Sequence, residues 1–282
     1  MDLTIGLHGF NMYAGADRDG MARIVEMAEE LGYDSLWAAD HVVLPSPRTA
    51  SSPMEPTDPL VDPLLALTFA AARTERIGLA TGVVVLPQRD PLILAKQFAS
   101  LDVLSGGRTT AGLGAGYLEP ELSRFGVSLF ERGRRTEEHL AAMRALWHTQ
   151  APEFHGDFVS FANIDAHPRR LQKPLPVVLG GDSPVAQRRA VRLADGWYGW
   201  MLGLRATAES LDSLRAAGHG TTRDLHISIT PARRLTPEAV QTYADLGVHR
   251  LIVAPPTGLP LSALTKFIQA NAPATLGAKP HK

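Results

Sequence analysis

The stretch YDSLWAADHV, residues 33–42, is a short apolar run that stops at an Asp-His pair. A strand buried in an ordinary core has no use for a carboxylate beside an imidazole at its end. A barrel strand does, because the C-terminal ends of parallel barrel strands open onto the active-site face. The neighbouring runs repeat the pattern. Residues 3–10 (LTIGLHGF) read as a strand, and 19–31 as an amphipathic helix stopped by Gly32. Residues 76–87, 106–116, 175–181, 195–201, 225–229 and 250–254 read as further strands, rich in Val, Ile, Leu and Gly. Helical patterns fill the intervals at 64–74, 91–105, 131–147, 184–193, 206–217, 237–246 and 262–270.

Such alternation implies right-handed crossovers and a parallel sheet. About eight strand-helix units in a chain of 282 residues favour a single α/β domain, a closed (β/α)8 TIM barrel, over an open doubly wound sheet. Small insertions are expected after strand 2, where 45–63 is proline-rich, and after strand 4, at 117–130. Residues 154–164 alternate as a small hairpin. The barrel is expected over 1–271, with 272–282 as a loose C-terminal tail.

The balance of 28 Lys+Arg against 29 Asp+Glu predicts no affinity for nucleic acid or a membrane surface. With no cysteine, disulfides, thiol nucleophiles and cysteine-held metals are excluded. The N-terminus lacks the charged and apolar regions of a signal peptide, and no run approaches the roughly 18 apolar residues of a membrane span. A cytoplasmic protein is expected.

In a barrel, the strand ends nominate the site. They supply His8, then Asp40 and His41, then Thr81, Gly82 and Val83, then Gly114 and Tyr117, then Gly180, Gly181, Asp182 and Ser183, then Trp200. A carboxylate can steer an imidazole as acid or base near neutral pH, so Asp40 and His41 are the catalytic candidates. The plain alternative is that Asp40 caps a loop and His41 packs under Trp37. Gly180 and Gly181 let backbone amides approach a ligand, and Ser183 stands at the cap position before Pro184. That helix start reads as a phosphate site, or as a cap and nothing more. Arg188 and Arg189 are expected on its solvated face. The glycines of GLGAG, residues 112–116, suit a flat ligand, but the stretch lacks a dinucleotide fingerprint. No metal is expected, since His8-Gly9-Phe10 is not the His-x-His of a metal-dependent hydrolase barrel.

DSLWAADH, TGVVVLPQRDP, GRTTAGLGAGYLEPELSRFGVSLFERGRRTEEH and PVVLGGDSPVAQRRAVRLADGW together resemble the luciferase-like monooxygenase superfamily. The resemblance is closest to its branch of oxidoreductases that use the deazaflavin coenzyme F420, and it covers residues 3–200. It implies a barrel holding a flavin or deazaflavin at its C-terminal face. Asp40 and His41 would lie near the ring, with His41 as acid or base. Gly82-Val83 would carry a non-proline cis peptide, and Gly180, Gly181 and Ser183 would hold the cofactor phosphate. Some deazaflavin-dependent dehydrogenases of the family carry Glu where this chain has Tyr117, and a Trp shortly after the Asp-His pair where it runs Val42-Val43-Leu44-Pro45. This argues against their sugar-phosphate activity and leaves Tyr117 or Glu119 as candidate acids. The residues around 44–63 and 200–202, Trp200 among them, suit an apolar substrate.

The expected activity is hydride transfer between F420 and a small organic substrate. The alternatives are an FMN-dependent monooxygenase using oxygen and, from another class, a non-catalytic flavin-binding protein. Family habit implies a homodimer and allows a separate enzyme that reduces F420 or FMN.

Overall fold

A capping side chain followed by proline starts four of the helices in the computed structural model, which describes residues 3–218 and 224–281. Asp62, Asp90, Ser183 and Thr236 each accept a hydrogen bond from a main-chain N–H two or three residues on. The proline that follows each has no N–H to leave unpaired, so the first helical turn begins without an orphan at that position. These devices fix where the strands end and the helices begin, and hence which residues reach the rim.

The barrel strands are β1 (Thr4–His8), β2 (Ser35–Ala38), β3 (Gly78–Thr81), β4 (Thr109–Gly114), β5 (Val177–Gly180), β6 (Gly196–Leu202), β7 (His226–Pro231) and β8 (Arg250–Val253). All pair in parallel, and the ring closes where Leu79 and Ala80 of β3 pair with Thr109 and Thr110 of β4. The helices between and after them are α1 (Arg18–Glu30), α2 (Pro63–Arg73), α3 (Pro91–Leu104), α4 (Arg132–His148), α5 (Pro184–Leu193), α6 (Leu204–Ala217), α7 (Pro237–Asp245) and α8 (Leu261–Ala270). The expected (β/α)8 barrel is therefore what the chain forms. The predicted third strand is broken: it stops at Thr81 and resumes as Val84–Val85, across a cis Gly82-Val83 peptide. The predicted hairpin is present as Phe154–His155 paired with Ser160–Phe161.

Two apolar layers result. Side chains on one face of each strand join the helices in the large outer core, which includes Ile5, Leu7, Leu36, Leu79 and Trp197. The other face points into the barrel, where Trp37, Ala80, Val178, Tyr198 and Ile252 fill the lumen and Val83 packs on top of them. Two large rings fit because small residues stand opposite: a Cβ on Gly6 would lie 3.1 Å from the Trp37 Nε1. The barrel is a packed core with one open end.

The tail is not loose. Ala272, Leu276 and Ala278 are buried in the outer core, and the His281 N–H donates to the Gly32 carbonyl at 2.9 Å. Three apolar side chains and one main-chain hydrogen bond are enough to dock it. Met1, Asp2 and Lys282 of the expected limits lie outside the described residues.

Candidate active site

The alternation that builds the two layers decides which strand-end residues face the mouth. His8 follows Gly6 on the inner face of β1. Its Nε2 lies 3.0 Å from the Gly82 carbonyl, and its ring centroid lies 4.7 Å from that of Trp200. Burial depresses its pKa to about 4, partly opposed by that hydrogen bond, so at neutral pH the ring is uncharged and Nε2–H is the donor.

Asp40 and His41 do not act as a pair. Neighbours along a strand point to opposite sides, and these two part at the end of β2. The Asp40 carboxylate turns inward, accepting the Val85 N–H at 2.9 Å and an Arg89 N–H at 2.6 Å. Arg89 bonds Asp62 as well, tying β2, the resumed third strand and the start of α2 together. Burial raises the Asp40 pKa, the Glu121 charge adds to that, and Arg89 and the Val85 N–H oppose it. Its role is to anchor the rim.

His41 instead meets a residue 80 positions away. Its Nδ1 lies 2.7 Å from Glu121 Oε2, while Glu121 Oε1 accepts the Val42 N–H at 2.7 Å and the Gln88 amide at 3.1 Å. Glu121 is only 2% exposed. Burial alone would raise its pKa, but the His41 hydrogen bond and charge, with the Val42 and Gln88 donors, bring it below the ordinary value. Tyr117 stands edge-on to His41, ring centroids 6.0 Å apart, and is more than half exposed. Burial of its hydroxyl and the nearby Glu121 charge raise its pKa. Glu119, one of the acids suggested by sequence, is exposed. It lies two residues from the carboxylate that does reach the histidine. Glu121, Gln88 and Arg89 were missed by sequence reasoning, and LEPEL, whose Leu118 and Leu122 are both buried, places Glu119 and Glu121 alike between them.

Thr81 is also corrected. It shares the outward face of β3 with Leu79, is fully buried, and spends its hydroxyl on the Gly112 carbonyl at 2.5 Å. It does not line the mouth. Val83 does, and the glycines beside it make its seat. A Cβ on Gly114 would fall 2.7 Å from Val83 Cγ2, and one on Gly180 would fall 3.3 Å from Cγ1. Gly114 is buried under Val83, so its part is to admit that side chain.

At the end of β5, Gly181 has φ +121°, a conformation that side chains resist, and its carbonyl accepts the Trp197 indole N–H at 2.9 Å. Ser183 caps α5 through Ala186 N–H at 3.2 Å. Asp182 lies on the exposed turn. Partial desolvation raises its carboxyl pKa against a hydrogen bond from the Trp200 main chain. Arg189 is not on the solvated face: it is buried and paired with Glu137 of α4 at 3.1 Å. Around this mouth Val42, Val43, Tyr117, Trp200, Met201 and Leu204 are all exposed, a concentration of apolar surface that marks a ligand site. Among the described residues no cluster of His, Asp and Glu could hold a metal ion, and no helix is long and apolar enough to cross a membrane.

The family model for luciferase-like monooxygenases matches residues 3–278. An uncharacterised protein of Mycobacterium tuberculosis is 31% identical over 248 residues, spanning 83% of this chain and 86% of its own. An F420-dependent glucose-6-phosphate dehydrogenase of Amycolatopsis mediterranei is 30% identical, across 65% of this chain and 55% of its own. An FMNH2-dependent dimethylsulfone monooxygenase of Pseudomonas putida is 32% identical, across 62% and 50%. The same fold occurs in the monooxygenase RslO1 from Streptomyces bottropensis, with TM-score 0.79 and 20% identity over 98% of this chain and 99% of that one. It occurs again in an F420-dependent secondary alcohol dehydrogenase, with TM-score 0.75 and 15% identity over 96% and 99%.

Proposed function

Because the chain belongs to the luciferase-like monooxygenase family, we propose that it is an oxidoreductase that binds coenzyme F420 at the C-terminal mouth and reacts it with a small, apolar organic substrate. The observation that carries this reading is His41, presented at an apolar mouth and held from behind by a buried carboxylate. Its side chain keeps 13% exposure while the carboxylate behind it keeps 2%.

The residues fit a deazaflavin. The turn at Gly181 offers main chain without a side chain in the way, next to the capped start of α5, which suits a phosphate. Val83, His8 and Trp200 offer apolar and aromatic surface to a flat ring. When bound, the cofactor supplies hydride transfer. The chain's own part is to hold the ring, to exclude water with the Val42–Val43 and Trp200–Met201 segments, and to hold or deliver a proton at His41. His8, uncharged at neutral pH, supplies packing and no proton.

Among the described residues, the cation that the rim brings near His41, Arg89, is committed to Asp40 and Asp62. This supports an apolar substrate over a sugar phosphate. Exposed Leu65 on α2 and Ile93 and Leu104 on α3 support a homodimer through those helices. The test is anaerobic turnover of reduced F420 with a panel of uncharged carbonyl compounds. Reoxidation of F420 by a member of the panel is expected. Turnover with FMNH2 and oxygen alone would replace this reading by the monooxygenase one, and binding without turnover in any donor system would favour a non-catalytic flavin-binding protein.

A further inference from the structure

We infer that Glu121 is a positioning residue that fixes the tautomer of His41, so that any proton the ring exchanges with a ligand passes through Nε2. The inference rests on the reading that His41 works at the mouth, and it adds the atom and the residue that selects it.

The argument starts from donor and acceptor chemistry. An ionised carboxylate can only accept, and Glu121 is placed as one, its Oε1 accepting from the Val42 N–H and the Gln88 amide. Its Oε1 is taken by the Val42 N–H and the Gln88 amide, leaving Oε2 to face His41 Nδ1 at 2.7 Å. The atom facing it must therefore carry hydrogen. In neutral His41 the proton sits on Nδ1, the minority form of a free imidazole, and the lone pair is on Nε2.

The support is rigid. Glu121 lies in the short helix Glu119–Leu122, and Leu122 is locked against Val85 and Val127 beneath the rim. The Val42 N–H bond ties the same carboxylate to the main chain next to His41, so ring and backbone are set together. The other titratable groups nearby leave the assignment unchanged. Tyr117 meets the ring edge-on at 6.0 Å between centroids, and Asp40 is committed to Arg89 and the Val85 N–H. Among the described residues, Glu121 is the carboxylate in hydrogen-bond reach of His41.

Glu121→Gln gives a sharp consequence. The Val42 N–H must still be met by an oxygen, so the amide oxygen takes the Oε1 place and the amide NH2 faces Nδ1. Two donors cannot face each other, so His41 must move its proton to Nε2. A wrong tautomer in an intact site is costly, on the order of 10²-fold or more in turnover with little change in KM.

The experiment is nitrogen-15 NMR of the histidine-labelled protein without cofactor, above the histidine titration, with the His41 signals identified by their loss in His41→Asn. The wild type is expected to show His41 protonated on Nδ1, and Glu121→Gln to show it protonated on Nε2. Wild-type His41 protonated on Nε2 overturns the inference without any variant having to fold, as does a Glu121→Gln protein with the wild-type tautomer. If the tautomer swaps as expected but His41→Asn keeps full turnover, the positioning stands and the acid/base role of His41 falls.

Discussion

The two ends of the barrel are both polar, but they spend their polar groups differently. At the N-terminal end the buried charged groups Arg108, Asp34 and Arg250 are met. Arg108 gives all five of its N–H donors to the carbonyls of Ala71, Thr74, Ile77 and Ser105 and the Thr74 hydroxyl. Asp34 holds Arg250 through two guanidinium nitrogens, and Arg250 lies 5.6 Å over the Trp37 ring. A cavity of about 210 Å³ there is lined by these groups together with Arg76 and His281. At the C-terminal end the polar groups are met only from behind: Asp40 by Arg89, His41 by Glu121, His8 by the Gly82 carbonyl. Of these, His41 keeps an exposed edge, 13% of its side chain, and exposed Val42, Val43, Tyr117 and Trp200 lie at the same end. This is the division expected of barrel enzymes.

That contrast can be broken by substitution. The largest effect is expected at the open end: His41→Ala should lower turnover by about 10²- to 10⁴-fold, at a stability cost of about 1–3 kcal/mol, because the buried Glu121 loses one donor and keeps those of Val42 and Gln88. Full turnover in the folded variant would place His41 with the structural groups. Next comes Asp34→Ala at the closed end. It leaves the Arg250 charge without its partner beneath Trp37, and should cost about 3 kcal/mol, read as a fall of roughly 10 °C in melting temperature. Cofactor affinity of the folded protein should be untouched.

A third test uses pH. His8 has its pKa depressed to about 4 in the folded chain against 6.5 unfolded. Its neutral form is the one the fold accepts, so stability is full above pH 6.5 and falls as the pH drops toward 4. The loss approaches about 3 kcal/mol. Denaturant melts of wild type and His8→Gln at pH 7.5 and 4.5 should show a smaller acid loss in the variant. Equal losses would refute the assignment. The smallest effect is expected at Arg76, which lines the lower cavity but is exposed. Arg76→Ala should change stability by no more than about 0.5 kcal/mol, and a larger change would mean that the closed end is less saturated than described.

Much of this architecture is legible in the sequence because it is local. Proline after a capping side chain fixes helix starts within a residue or two, and apolar runs that end in glycine or in an Asp-His pair locate the rim. What is not legible depends on parity and on distance. Thr81 fails by parity: one residue further on would have faced the mouth, as Gly82 does. Asp40 and His41 are adjacent in sequence and so diverge in space. The partnership of His41 with Glu121 joins segments 80 residues apart, and nothing local distinguishes Glu121 from Glu119. Only the packing of Leu122 shows which of the two carboxylates the short helix turns inward.

The most direct measurement is a fluorescence titration of the protein with F420 and, separately, with FMN, on the wild type and on Gly181→Val. A Cβ at Gly181 would lie 2.8 Å from Ala186 Cβ, at a φ that valine resists. The account predicts saturable binding of F420 tighter than FMN, weakened at least tenfold by Gly181→Val with the fold intact. Binding of neither compound, or binding unaffected by the variant, would contradict it.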